Sequence, residues 1–141
     1  MEKARTSELK QCPYGFVGSE RVDPTREDLQ RAINEKRFCE SIMDRDYEEI
    51  SKAIQSKTNV PAEMNKLMRQ FHAERVAELV RTKDQWLNEH DKWPIKINQF
   101  NHVTAGNHRF RAVRYLEIEE VWVKREEVSQ AHPMYESPQI W

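Results

Sequence analysis

The stretch that decides the fold is Thr104-Ala105-Gly106-Asn107-His108-Arg109-Phe110-Arg111-Ala112. With the β-branched residues around it, over 97–103 and 113–123, it predicts a strand, a glycine turn, a short helix and a closing strand. Glycine at such a junction allows backbone conformations closed to other residues, and the N–H groups of the first helical turn then point at one spot. The helix dipole and the planar guanidinium of Arg109 make that spot favourable for an anion. The sequence therefore predicts a phosphate-binding turn.

Residues 105–123 resemble, without a gap, the Gly-x-x-Arg-x-x-Ala box and the following strand of the ParB/sulfiredoxin superfamily. Gly106, Arg109 and Ala112 occupy the three defined positions of the box. This resemblance implies a small mixed sheet with helices, and a phosphate site at the box.

The resemblance extends upstream of the box and covers about residues 69–123. Residues 69–80 resemble the segment where a ParB-type domain has an arginine, an aromatic residue and the start of its first helix. Pro94-Ile95 resembles the opening of the next strand. For Arg69, a phosphate contact and a simple charge at a helix start remain equal alternatives.

Together, the residues and the resemblance predict a nucleotide or phosphate site, and no metal ligands. The implied cofactor is a nucleoside triphosphate with Mg²⁺, and phosphoryl transfer, triphosphate hydrolysis and nuclease activity all stay open. No carboxylate stands out as the base, so catalytic residues are unassigned. A metal site built from His102 and His108 is the less favoured alternative, since the histidines lack a metalloprotease or zinc-finger spacing. The predicted binding residues are Arg69, Thr104, Gly106, Asn107, His108 and Arg109.

Two differences from the ParB/sulfiredoxin superfamily exclude functions that the resemblance would otherwise allow. Asn107 stands where sulfiredoxins have their catalytic cysteine, so that route of sulfinic-acid reduction is excluded. The 18 residues after Val123 are too few for the helix-turn-helix and dimerisation domains of chromosome-partitioning ParB proteins. The alternative function is therefore a non-catalytic regulatory or inhibitory protein of a plasmid, phage or other mobile element. Such a protein would bind a host protein or DNA.

The composition predicts one small intracellular, cytoplasmic domain. The chain has 141 residues, of which 38% are hydrophobic and 33% charged, and it has no apolar run of membrane-spanning length. Its net charge of -1 gives no global basic footprint, so nucleic-acid binding requires a local patch. Cys12 and Cys39 read as free thiols in that compartment.

The predicted architecture is α+β, with helices over most of 24–90 and strands at about 95–98, 102–104 and 119–123. Residues 1–68 read as a helical elaboration on a ParB-like core at 69–123, followed by a tail at 124–141, all within a single domain. Within the elaboration, 1–22 reads as an arm or loop. Helices are predicted from Asp23-Pro24, over about 45–57, and from Val60-Pro61.

Two further side-chain patterns carry expectations. Arg111 and Arg114 share a helix face with Glu117 and Glu120, which predicts a solvated, salt-bridged stripe. In the last strand, Val121 and Val123 face one way and Trp122 the other. If no helix covers that tryptophan, it is expected to mark a contact with another protein.

Overall fold

The computed structural model describes residues 1–11, 14, 16–17, 20–35, 52, 56, 59–88 and 94–127. In chain order the elements are β1 (Glu2–Arg5), a 3-10 turn (Thr6–Glu8), β2 (Phe16–Val17), β3 (Glu20–Arg21), α1 (Arg26–Asn34), α2 (Pro61–Arg81), α3 (Lys83–Trp86), β4 (Ile95–Ile97), β5 (Val103–Ala105), α4 (Asn107–Tyr115) and β6 (Glu120–Arg125). The predicted α+β class is confirmed. In the part of the chain that the structure describes, no helix is long and apolar enough to cross a membrane.

The chain divides into two compact units. The first comprises Met1–Cys12 and Leu79–Trp141, and the second comprises Pro13–Glu78. The first unit contains a four-stranded mixed sheet in the order β1-β6-β4-β5. Strand β6 is antiparallel to β1 and parallel to β4, whereas β4 and β5 are antiparallel. The three predicted strands are present, with ends shifted by one or two residues.

Strand β1 corrects the expectation of an arm over residues 1–22. Glu2 lies opposite Val123, and Arg5 lies opposite Glu120. The sequence Glu-Lys-Ala-Arg has no alternating apolar pattern, so its extended form depends on hydrogen bonds to β6. The same two strands are joined at their ends by Arg125, whose Nε donates to the Glu2 carboxylate at 2.8 Å.

One face of this sheet forms the core of the first unit. Helix α4 packs against β4 and β5. The alternation of the strands places their β-branched residues on one side, where burial stabilises each by about 1.5–3 kcal/mol. The buried apolar side chains of α4 and the sheet are Ile95, Ile97, Val103, Phe110, Ala112, Val113, Val121 and Val123.

A buried asparagine closes the β4–β5 connection. The Asn98 side-chain oxygen accepts hydrogen bonds from the backbone N–H groups of Phe100, at 2.9 Å, and His102, at 3.0 Å. Asn101 takes a left-handed conformation, with φ of 61°. Arg125 donates to the Asn98 carbonyl at 2.6 Å. This turn fixes where β5 begins, and so where the glycine turn after it lies.

The second unit contains the β2–β3 hairpin, α1 and most of α2. Helix α1 begins with a capping box between Thr25 and Asp28, two residues later than the predicted aspartate cap. Asp23 instead accepts hydrogen bonds from Tyr14 and Arg21. The helix predicted from Val60-Pro61 is confirmed as α2.

The second unit has an apolar core of its own. Val22, Met68 and Phe71 form a buried cluster, against which partly buried apolar residues pack. The helix predicted over 45–57 lies outside the described residues, apart from Lys52 and Ser56, which are helical.

Candidate functional site

The turn between β5 and α4 has a backbone that requires glycine. Gly106 takes the left-handed conformation, with φ of 83° and ψ of 30°. A Cβ added there would lie 3.3 Å from the Ile95 Cα and 3.4 Å from the Pro94 carbonyl oxygen. Both neighbours are backbone atoms at the start of β4 and cannot rotate away. Both the left-handed conformation and the lack of room for a Cβ therefore favour glycine at position 106.

Helix α4 begins directly after this glycine, and no side chain caps it. Gly106 occupies the N-cap position with no side-chain hydrogen bond, and its carbonyl accepts from the Phe110 N–H at 2.8 Å. The nine residues of the helix are long enough to give a positive N-terminal end. That end lies at the turn that the sequence predicted as an anion site.

The side chains around the turn supply further polar groups. The Asn107 Oδ1 atom is buried and has no hydrogen-bond partner among the described residues. A buried acceptor without a partner costs about 1–3 kcal/mol. His108 and Arg109 are half-buried, and Thr104 is exposed. The Thr104 hydroxyl donates to the Lys96 carbonyl at 3.3 Å.

Arg69 belongs to the second unit. Its Nε donates to the Asn65 side chain at 2.7 Å, and its Nη1 lies 3.6 Å from the Asp28 carboxylate. It occupies the interior of α2, which begins at Pro61 and not near residue 69. The expected helix start at this segment, and with it the reading of Arg69 as a helix-entry charge, was wrong. A phosphate contact by Arg69 remains a prediction.

Arg111 and Arg114 correct the expectation of a solvated, salt-bridged stripe. Arg111 is 2% exposed and Arg114 is 9% exposed. The Arg114 Nη1 donates to the side-chain oxygen of Gln11, which is also buried, and its guanidinium carbon lies 5.8 Å from the Phe110 ring centre. Five consecutive residues of α4, 110–114, are buried, so this helix is enclosed on more than one face. Spacing along the helix alone does not reveal such enclosure.

Two clefts lie away from the glycine turn. One, of about 640 Å³, is lined by Arg5, Thr6, Ser7, Arg114 and residues 117–120 of the first unit. The other, of about 490 Å³, belongs to the second unit and includes Arg69 with Asp28. Neither cleft contains a residue of the turn, 104–109.

No metal cluster is found in the described part of the chain. There, no three or more His, Cys, Asp or Glu side chains are grouped so that they could hold an ion. His102, one half of the less favoured histidine pair, is 6% exposed and lies at a backbone bridge with Lys10.

Comparison with known proteins adds no relative. The chain matches no protein-family model, and no curated protein or solved structure matches it. The resemblance to the ParB/sulfiredoxin superfamily thus stays a prediction that rests on the residues quoted for it.

Two features of this region could not be predicted from the sequence. The buried Asn107 oxygen depends on atomic packing at the helix start, for which the sequence carries no signal. The Gln11–Arg114 hydrogen bond joins residues 103 positions apart. A glutamine in a polar N-terminal stretch gave no indication that it would be buried.

Proposed function

We propose that the chain binds a phosphate-bearing small molecule, with nucleotides as the class to test first, at the turn of residues 104–109. The observation that carries this proposal is the uncapped start of α4 behind Gly106. A helix start with no side-chain cap offers backbone donors and a positive dipole end to an anion. Because residue 106 has no Cβ, the turn lies directly against the backbone of Pro94 and Ile95, which holds the start of α4 in place.

The neighbouring side chains extend this proposal from an anion to a larger molecule. Arg109 carries a planar set of donors suited to phosphate oxygens. Asn107 has an acceptor oxygen in the same turn; it is buried, and it would suit a hydroxyl or amino group of the ligand once the side chain turns outward. A nucleotide carries both kinds of group. Phosphoryl transfer, triphosphate hydrolysis and nuclease activity share this binding step, and each would need Mg²⁺ in addition.

A thermal-shift screen tests the proposal. The purified chain is heated with ATP, CTP, GTP, their diphosphates and inorganic phosphate, each with and without Mg²⁺. At a ligand concentration of about 100 times Kd, binding stabilises the folded state by about 2.7 kcal/mol, so the melting temperature rises with concentration. The same screen on Arg26→Ala, which removes one exposed arginine of α1, should give the same shifts. If neither a nucleotide nor inorganic phosphate raises the melting temperature, the proposal is contradicted.

The second candidate is a non-catalytic protein that binds another macromolecule. One observation favours it: Arg69, for which a phosphate contact was one of two equal expectations, donates a hydrogen bond to Asn65 and is ion-paired with Asp28. Under this alternative the ParB-like core serves as a scaffold, and its expected source is a plasmid, phage or other mobile element. The nucleotide screen separates the two candidates, because a scaffold gains no stability from small phosphates.

A further inference from the structure

The sheet face opposite α4 has a tryptophan among cations. Val121 and Val123 are buried against the core, and the alternation of β6 points Trp122 to the other face, where it is half-buried. Lys3 lies opposite Trp122 in the register of β1 and β6. Its ammonium is 5.3 Å from the centre of the tryptophan ring. This distance is within the range of a cation–π contact.

A pair of lysines continues the same face. Lys96 and Lys124 are direct partners in the parallel register of β4 and β6. Their ammonium groups lie 3.6 Å and 3.7 Å from one oxygen of the Glu126 carboxylate. The two side chains are 37% and 54% exposed. Since two ammonium groups share one carboxylate, positive charge is in excess here.

We name this surface the basic sheet face and define it by Lys3, Arg5, Lys96, Trp122 and Lys124. Arg5 is two residues along β1 from Lys3, so it points to the same side, and it lies opposite Glu120. Four cations thus stand against the carboxylates of Glu120 and Glu126, in a chain whose net charge is -1. The sequence required any nucleic-acid binding to come from a local patch of this kind.

The charges and the tryptophan ring of the basic sheet face favour one class of partner over a protein or duplex DNA. A hydrophobic protein interface has an apolar centre, whereas Trp122 on this face lies beside the charged side chains of Lys3, Lys124 and Glu120. Duplex DNA keeps its bases stacked inside the helix and cannot place one on a tryptophan. Unpaired bases stack on aromatic rings while lysines and arginines track the phosphates. A single strand therefore fits both the charge and the ring.

We propose that the basic sheet face binds single-stranded nucleic acid. Lys96 and Lys124 contact successive phosphates in exchange for part of their interaction with Glu126. The Lys3 ammonium leaves the Trp122 ring for a phosphate, and a base takes its place on the ring. This site is separate from the glycine turn, and its binding does not require the proposed nucleotide function.

Fluorescence anisotropy with a labelled oligothymidylate of about 12 nucleotides, within the site sizes of small single-strand binders, tests this proposal. The double variant Lys96→Gln/Lys124→Gln should bind at least about tenfold more weakly at low salt. The slope of log affinity against log salt concentration should fall by about 1.4, because each phosphate contact on a single strand contributes about 0.7. The matched control, Lys66→Gln/Lys83→Gln, removes the same charge from two exposed lysines elsewhere and should keep wild-type affinity and slope.

Trp122→Leu tests the stacking part. It should weaken binding by about five- to a hundredfold, the range expected for one lost base–aromatic stack. If this variant does not fold, as judged by circular dichroism, the lysine pair and its control still decide the proposal.

Several results would overturn the inference. Wild-type protein that does not bind the oligothymidylate refutes it directly. Equal affinity for a blunt duplex of the same length, or for poly-glutamate, would show a general polyanion surface and not a single-strand site. An equal loss in the Lys66/Lys83 control would show that only net charge matters.

Discussion

Gly106 and Ile95 approach so closely that a Cβ on residue 106 would lie 3.3 Å from the Ile95 Cα. This contact lies between the start of α4 and β4, so the glycine turn packs directly against the sheet. Its geometry leads to the first prediction.

Gly106→Ala should destabilise the fold by about 1–3 kcal/mol, because alanine at φ of 83° is strained and its Cβ crowds Ile95. Denaturant unfolding measures the change. Gly106→Asn is the matched comparison, since asparagine tolerates the left-handed conformation better but has the same Cβ. Its cost should be smaller than that of alanine. Wild-type stability in Gly106→Ala would contradict the geometry.

Arg109→Ala should weaken phosphate binding by about ten- to a hundredfold, as expected from losing a charge-assisted hydrogen bond of about 1.5–3 kcal/mol. Calorimetry with inorganic phosphate and with the most stabilising nucleotide measures the effect. The melting temperature without ligand should change little, and Arg26→Ala should bind as the wild type does. Equal affinity in wild type and Arg109→Ala would favour the scaffold alternative.

Gln11 and Arg114 should show a coupling of about 1.5–3 kcal/mol in a double-mutant cycle, because both are buried and the hydrogen bond involves a charged group. The cycle uses Gln11→Ala, Arg114→Ala and the double variant, with denaturant unfolding as the measurement. Arg114→Ala alone should be clearly destabilising, contrary to what a solvated arginine would show. Additive effects would mean that the hydrogen bond adds nothing.

Asn98→Ala should destabilise the first unit by about 1–3 kcal/mol, because the N–H groups of Phe100 and His102 lose their acceptor. The neighbouring exposed residue provides the control: Gln99→Ala should change the free energy of unfolding by less than about 0.5 kcal/mol. Similar effects of both variants would show that the Asn98 side chain does not hold the turn.

The hydrogen bond from Arg125 lowers the pKa of the Glu2 carboxyl below its ordinary value of 4.5. Because the pKa of Glu2 is lower in the folded state than in the unfolded state, the pair stabilises the fold at pH values above 4.5. The stabilisation disappears as the pH falls through the lowered pKa. An NMR titration of Glu2 should show its pKa rising in Arg125→Gln. Arg5→Gln, on the same pair of strands, should leave the Glu2 pKa unchanged, and an unmoved pKa in Arg125→Gln would refute the pairing.

The sequence predicted those parts of the fold that local patterns determine. The runs around Ile95 and Val103 are β-branched, and Gly106 interrupts them at a conformation only glycine takes easily, so strand, turn and helix followed. The start at Pro61 followed from the preference of proline for the first helical turn. Strand β1 did not follow, because Glu2–Arg5 becomes a strand through pairing with distant residues.

The candidate site was predicted less completely for the same reason. Gly106 and Arg109 belong to a local motif, so they were accessible from the sequence. The burial of Arg114 depends on Gln11, which no spacing rule links to it. Whether an arginine three residues from another faces water or the interior is decided by what packs on it, and that information is not local.

The pairing of residues 2–5 with 120–123 has a consequence for how the protein forms. Among the described elements, β1 is synthesised before the other strands, and its partner β6 is synthesised last, after the described helices and the remaining described strands. Contacts of such high sequence separation carry a large loop-closure entropy and slow folding. During synthesis, the sheet therefore remains incomplete until nearly the whole described chain has left the ribosome.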